Sequence, residues 1–271
     1  MFYKKINYPD GDFYVELLEP KKEFTFRVNS YEDLWEMNHL IEALNHNGII
    51  PCVTIPNLLS CQADRRFKEN QSFGYNLVHN FLKSLNATFK IFHPHQEMCS
   101  LLDNIEIIDN TKFVQSVLQT ISSNEMHWLS NQEFQDNTIL LAPDRGAYKW
   151  IMKLADKLGW KGEVFAASKS RKFEEGKTSI IQMIDRKDFE GKRIILLDDL
   201  CIYGGTFVGL AKLLRDRNAG QLYLAVSHIT VAKPNPLLFE LFDVVFTTNS
   251  KGLVYHDEEN HPENLDVIEL F

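Results

Sequence analysis

RIILLDDLCIYGGTF, residues 193–207, decides the fold. An apolar run ends in two acids, Asp198 and Asp199. A short loop then reaches Gly204, Gly205 and Thr206, and beyond it Phe207, Leu210, Ala211 and Leu214 recur at helical spacing. A near-continuous apolar run reads as a strand covered on both faces, as in a parallel sheet. The unit is therefore strand, loop, helix. Glycines in such a loop let backbone N–H groups approach a phosphate, and the helix N-terminus adds a favourable dipole. Thr206 adds a hydroxyl. The paired carboxylates suit sugar hydroxyls or a hydrated Mg²⁺. The plainer alternative is an acidic turn followed by a glycine-rich helix cap.

Working outward, strand-like runs occur at 48–56, 87–94, 137–144, 162–168, 221–229 and 242–249. Helical stripes lie between them: Leu34, Met37, Leu40, Ile41 and Leu44 form one, and Ala147, Trp150, Ile151, Leu154 and Leu158 another. Such stripes face a core. The alternation predicts an α/β fold with right-handed crossovers. The polar stretch SSNEMHWLSNQEFQDN separates two α/β blocks, so a boundary is expected near 125–137, with domains over 1–136 and 137–271. KSRKFEEGKTS (169–179) is the least apolar stretch of the second half, and HDEENHPENLD (256–266) reads as polar and loop-like.

The chain has 271 residues, 44% hydrophobic and 24% charged, with a formal net charge of −8. That balance argues against non-specific nucleic-acid binding but leaves room for a local basic cluster on a phosphate. No apolar run of about 18 residues suggests a membrane span, and the first residues have no signal-peptide h-region. Cys52, Cys61, Cys99 and Cys201 are scattered without C-x-x-C spacing, the pattern of reduced thiols in a cytoplasmic protein. The stretch 171–178 ends like a P-loop but begins with Arg171 where the first glycine belongs, and no G-x-G-x-x-G occurs.

In α/β sheets ligands sit outside the carboxyl ends of the strands. The segments that follow the strands here carry an ordered set of features. They are NYPDGDFYV (7–15), IPNLLSCQADRRF (55–67), FKIFHPHQE (89–97), LLAPDRGAYKW (140–150), FAASKSRKF (165–173) and the 193–207 loop. Two acids followed by a Gly-Thr loop resemble the sugar-phosphate motif of type I phosphoribosyltransferases. The upstream segments, in their order and spacing from about Tyr8 to Thr248, resemble the ribose-phosphate pyrophosphokinases. Singly, each feature has an ordinary meaning: a solvated basic loop, surface histidines, a turn at Asp10-Gly11.

That resemblance implies two phosphoribosyltransferase-like domains, each a mostly parallel sheet flanked by helices. It implies a cytoplasmic pyrophosphokinase that uses ATP and Mg²⁺ and assembles as a homodimer or larger homo-oligomer. Lys169 and Arg171 are implied as catalytic lid cations. Asp198, Asp199, Tyr203, Gly204, Gly205 and Thr206 fall at the sugar-phosphate site. Tyr8, Asp10, Asp12, Gln62, Asp64, Arg65 and His95 fall at the ATP site, the first three across a subunit interface. His95 and Asp144 are the implied metal contacts.

The chain departs from that pattern in places. Ile202 and Tyr203 stand where the family has an Asp-Thr pair, Gln62 and Ala63 where it has Arg and Gln, and His93 where it has Asp. A changed acceptor is one reading of these departures. A phosphodiester or pyrophosphate in place of a free 5-phosphate, with Tyr203 stacking on a base beyond it, describes ADP-ribose. Its product would suit the rebuilding of NAD⁺. Ribose 5-phosphate stays open as acceptor, as do a non-catalytic regulatory relative and a phosphoribosyltransferase.

Overall fold

A computed structural model of the chain describes residues 1–66, 68–95, 103–122, 128–174, 177–231, 233–252 and 262–271, with 169–174 and 177–182 as backbone alone. The chain divides into two compact units: Met1–Asp109 with Ser250–Gly252 and Phe271, and Asn110–Asn249 with Leu253–Leu270. The division falls at Asp109, upstream of the expected 125–137 stretch. Helices between 110 and 136 belong with the second sheet.

The first unit opens with an antiparallel hairpin, β1 (Tyr3–Asn7) and β2 (Phe13–Leu17). Then come β3 (Glu23–Thr25), α1 (Tyr31–His46), β4 (Cys52–Ile55), α2 (Gly74–Ser84), β5 (Thr88–Phe92) and β6 (Ile105–Ile108). The sheet runs β3-β4-β5-β6, every pair parallel. Ser30 starts α1 with a reciprocal cap. Its hydroxyl accepts from the Asp33 N–H at 3.2 Å, and the Asp33 carboxylate accepts from the Ser30 N–H at 2.8 Å. Such a cap contributes about 1 kcal/mol. The predicted stripe Leu34, Met37, Leu40, Ile41 and Leu44 is buried. The hairpin leans on the same helix: the Tyr3 hydroxyl donates to Glu36 at 2.7 Å, and the Phe13 ring lies 4.8 Å from that of His39.

The second unit contains α3 (Thr111–Ile121), α4 (Gln132–Asp136), β7 (Thr138–Ala142), α5 (Arg145–Leu158), β8 (Glu163–Ala166), β9 (Ser168–Glu174) and β10 (Lys177–Met183). It continues through β11 (Arg193–Cys201), α6 (Gly205–Arg215), β12 (Leu222–Ile229), α7 (Leu237–Leu241), β13 (Val244–Thr248) and β14 (Leu265–Ile268). Its six-stranded sheet runs β14-β13-β12-β11-β7-β8, all parallel. All of β7 and all of β12 are buried, including the polar Thr138, Ser227 and His228, as strands covered on both faces require. The chain leaves β7 outward to β8 and returns to β11 on the other side. The sheet therefore has a topological switch point between β7 and β11, where crevices for ligands form in open α/β sheets.

The α/β class and the seven strand-like runs are found; six are trimmed at their ends, while the run from Arg193 extends to Cys201. The least apolar stretch enters a ladder: residues 169–174 lie in β9 and 177–179 in β10, an antiparallel pair in register from Lys177↔Glu174 to Met183↔Ser168. A backbone ladder needs no apolar side chains, so composition hid it. The stretch 256–266 is described only from 262 on, where it enters β14 at Leu265. Cys52, Cys61 and Cys201 are not joined in disulfides, and Cys99 lies outside the described residues. Among the described residues, no helix is long and apolar enough to cross a membrane.

Candidate functional site

The second unit gathers its predicted residues at the carboxyl ends of β11, β7 and β8. The last β11–β7 pair is Leu196↔Leu141, yet β11 runs on to Cys201 along β12. Asp198 and Asp199 thus overhang the place where β7 has ended. Asp144 lies just past β7 and caps α5, its Oδ1 accepting from the N–H groups of Gly146 at 2.9 Å and Ala147 at 3.1 Å. The same switch point that the topology identifies therefore holds the three carboxylates. The hairpin β9–β10 leaves the end of neighbouring β8. It carries Lys169 and Arg171, whose side chains lie outside the described residues.

The carboxylates feel one another. Asp198 is held well above its ordinary pKa, first by burial, then by the charge of Asp199, a hydrogen bond with it, and the charge of Asp144. The Asp199 N–H donates to Asp198 Oδ1 at 3.0 Å and only partly offsets this. Burial, and then the charge of Asp198, pushes the Cys201 thiol up to about 12, so it is an inert part of the wall.

Beyond the acids the chain turns through Gly204, which sits at φ 79°, and enters α6 with the Val208 N–H bonded to the Gly204 carbonyl at 3.0 Å. Gly204 has no side chain to close this helix end, and Gly205 is exposed there. Backbone N–H groups at such an end favour an anion. A Cβ on Gly204 would lie 2.4 Å from Leu238 Cδ1, so α7 holds the loop down. The segment after β12 runs alongside it. The Thr230 N–H donates to the Cys201 carbonyl and the Asn235 N–H to the Tyr203 carbonyl, each at 3.0 Å. The Asn235 side chain accepts in turn from the Leu237 N–H at 3.0 Å. Between these bonds the Tyr203 side chain stands 70% exposed. These partners of the loop are far apart in sequence, and motif reading missed them.

In the first unit, Gln62, Asp64 and Arg65 follow β4, and His95 follows its neighbour β5. Arg65 Nε lies 3.7 Å from Asp64 Oδ1. Tyr8, Asp10 and Asp12 occupy the tip between β1 and β2. The Asp12 N–H donates to Asp10 Oδ1 at 3.2 Å, the Tyr8 N–H to the Asp12 carbonyl at 2.7 Å, and the Tyr8 and Tyr14 rings lie 5.5 Å apart. Among the described residues, no three His, Cys, Asp or Glu side chains form a cage for a metal ion.

The model of the phosphoribosyl transferase domain matches residues 115–261, more than half of the chain. The chain belongs to the phosphoribosyl transferase domain family. The match begins inside α3, in agreement with that helix belonging to the second unit. Among similar proteins of this family, the ribose-phosphate pyrophosphokinase of Sulfolobus acidocaldarius is 26% identical over 233 residues, 82% of this chain and 74% of that protein. That of Chlorobaculum tepidum is 23% identical over 286 residues, 99% of this chain and 81% of that protein. The phosphoribosylpyrophosphate synthetase structure from Mycobacterium smegmatis superposes with a TM-score of 0.75 at 19% identity, covering 98% of this chain and 85% of that one. The expected resemblance in sequence and fold is thus present along nearly the whole chain.

Proposed function

We propose that the chain moves the β,γ-pyrophosphoryl group of ATP to the anomeric hydroxyl of ribose 5-phosphate or of a ribose 5-phosphoryl derivative. The hydroxyl oxygen attacks the β-phosphorus, the bond from that phosphorus to the α,β-bridging oxygen breaks, and AMP leaves. The convergence of Asp144, Asp198 and Asp199 beside the open N-terminus of α6 carries this reading. One end of the acceptor needs carboxylates for its ribose hydroxyls, and the other needs backbone donors for its phosphate. Both stand here within one strand-loop-helix unit.

Such transfer rests on alignment and charge neutralisation more than on covalent help. Lys169 and Arg171, carried on β9, supply fixed positive charge to the polyphosphate. The Asp donors are hard oxygen ligands, and they fit a Mg²⁺ that keeps its remaining positions for water and substrate phosphates rather than one held in a full protein cage. Mg²⁺ at Asp144, with His95 as the second candidate, would neutralise phosphate charge. The exposed Tyr8, with Asp10 and Asp12, offers a stacking surface for the adenine, contributed across a homodimer contact.

The acceptor has a second reading. Ile202 and the 70% exposed Tyr203 replace a carboxylate and a hydroxyl near the 5-phosphate, and they favour an acceptor that continues past that phosphate into a base, such as ADP-ribose. The test is AMP release from ATP and Mg²⁺ with ribose 5-phosphate, with ADP-ribose and with no acceptor, products weighed by mass. Acceptor-dependent AMP is expected. Nucleotide binding without AMP in any tube would point to the regulatory relative instead.

A further inference from the structure

Lys233 is the only Lys or Arg between Arg217 and Lys251. The fold carries it to the phosphate loop. The segment that holds it is bonded to that loop on both sides, by Thr230 N–H to the Cys201 carbonyl and Asn235 N–H to the Tyr203 carbonyl, each 3.0 Å. Lys233 itself is exposed, while Pro234 beside it is buried and its ring holds its φ. Two residues of chain span at most about 7 Å, so the Lys233 backbone stays close to that of Tyr203.

The local charge balance makes this position matter. Asp198, Asp199 and Asp144 are near enough to one another to raise the Asp198 pKa, and the loop 201–206 contributes no cation of its own. The α6 N-terminus serves one phosphate. A second phosphate directly beyond it, on the Tyr203 side, meets no positive charge in the loop: Ile202 is aliphatic, and Tyr203 presents a neutral ring and hydroxyl. A flexible four-carbon stem ending in three N–H donors, rooted next to Tyr203, answers that need.

We propose that Lys233 is a specificity residue that binds the second phosphate of a diphosphate-bridged acceptor, while Tyr203 stacks on the base behind it. The proposal rests on the reading of a longer acceptor given above and names the residue that would recognise its bridge. It assigns to the β12–α7 loop a binding role alongside the phosphate loop.

The test measures equilibrium binding of ADP-ribose and of ribose 5-phosphate to the full chain, in wild type, Lys233→Met and Lys233→Arg, with Mg²⁺ and without ATP. Wild type is expected to prefer ADP-ribose. Lys233→Met should reduce that preference about tenfold, the usual consequence of losing a charged hydrogen bond, and Lys233→Arg should keep most of it. The preference should also shrink as salt rises from 50 to 500 mM, since the contact is exposed. A preference ratio within twofold of wild type in Lys233→Met overturns the proposal, as does a wild type that binds no ADP-ribose. AMP release is measured on the same samples. Absent AMP with the binding difference intact would count against the transfer reaction and not against Lys233. Present AMP with an unmoved ratio would count against Lys233 alone.

Discussion

Gly204→Ala should destabilise the second unit by several kcal/mol. Gly204 sits at φ 79°, and an L side chain in that left-handed region costs about 1–2 kcal/mol. The added methyl would also meet Leu238, at 2.4 Å from Cδ1, 2.8 Å from Cγ and 3.0 Å from Cδ2. Ordinary carbon contacts lie near 3.5–4.0 Å. Leu238 is fully buried in the core with Phe207, Leu210 and Phe242, so it cannot swing into solvent. Forcing such a contact costs about 1–3 kcal/mol. The sum is about 2–5 kcal/mol, a large part of a stability of about 5–15 kcal/mol. Urea unfolding reads it as a lower midpoint at unchanged slope. Leu238→Ala removes the obstructing atoms, so the double variant should cost less than the two single changes together, with a coupling of about 1–3 kcal/mol. A Gly204→Ala chain within 0.5 kcal/mol of wild type, or strict additivity with Leu238→Ala, would refute the claim that α7 clamps the phosphate loop.

Further expectations concern the carboxylates and the buried thiol. Asp198 has its folded pKa raised above the usual 3.8, so the native chain keeps a proton that the unfolded chain has lost, and stability falls as pH rises from about 4 through the folded pKa. Asp198→Asn should remove that slope, raise the melting temperature near neutrality and lower the transfer rate; melting curves for the two chains that run parallel from pH 4 to 8 would contradict it. Asp144→Ala should cost about 1 kcal/mol through the lost cap on α5, whereas Asp144→Asn keeps the cap and loses only the charge. Denaturation should therefore separate the two variants and AMP release should not. The Cys201 thiol, pushed up to about 12, should escape alkylation at pH 8 in the native chain and react after unfolding, as peptide masses would record; labelling as fast as that of Cys52 would show the end of β11 to be open. Lys169→Ala should lower the maximal rate by about 10²-fold or more while the acceptor KM stays within a few fold, and an unchanged rate would remove β9 from the mechanism.

Much of the second unit was legible because its physics is local. Short apolar runs next to turn residues read as buried strands, and the stripe from Phe207 to Leu214 reads as a helix that the structure buries in the core. Asp198, Asp199 and Gly204 to Thr206 follow one another in sequence, so their shared site could be read there. Asp144 joins them through the β7–β11 pairing, which no single segment states; the resemblance supplied it. The hairpin β9–β10 was missed because its ladder depends on backbone groups, while its side chains read as polar loop. The division of the chain falls at Asp109 rather than in the polar stretch 122–137 because α3, which precedes that stretch, packs on α5 and β12 beyond it. Leu238 above Gly204 and Asn235 against Tyr203 are tertiary contacts whose partners carry no local signal.

The most direct test of the central claim is the structure of the product formed from ATP and the preferred acceptor, read by ³¹P NMR together with the nucleotide released. Two phosphorus atoms moved as one should appear as a coupled pair on the anomeric oxygen, with AMP in equal amount. ADP with a single new sugar phosphate, or a product formed only when a pyrophosphorylated sugar and a base are supplied without ATP, would contradict the account and assign the site to a kinase or to a phosphoribosyltransferase.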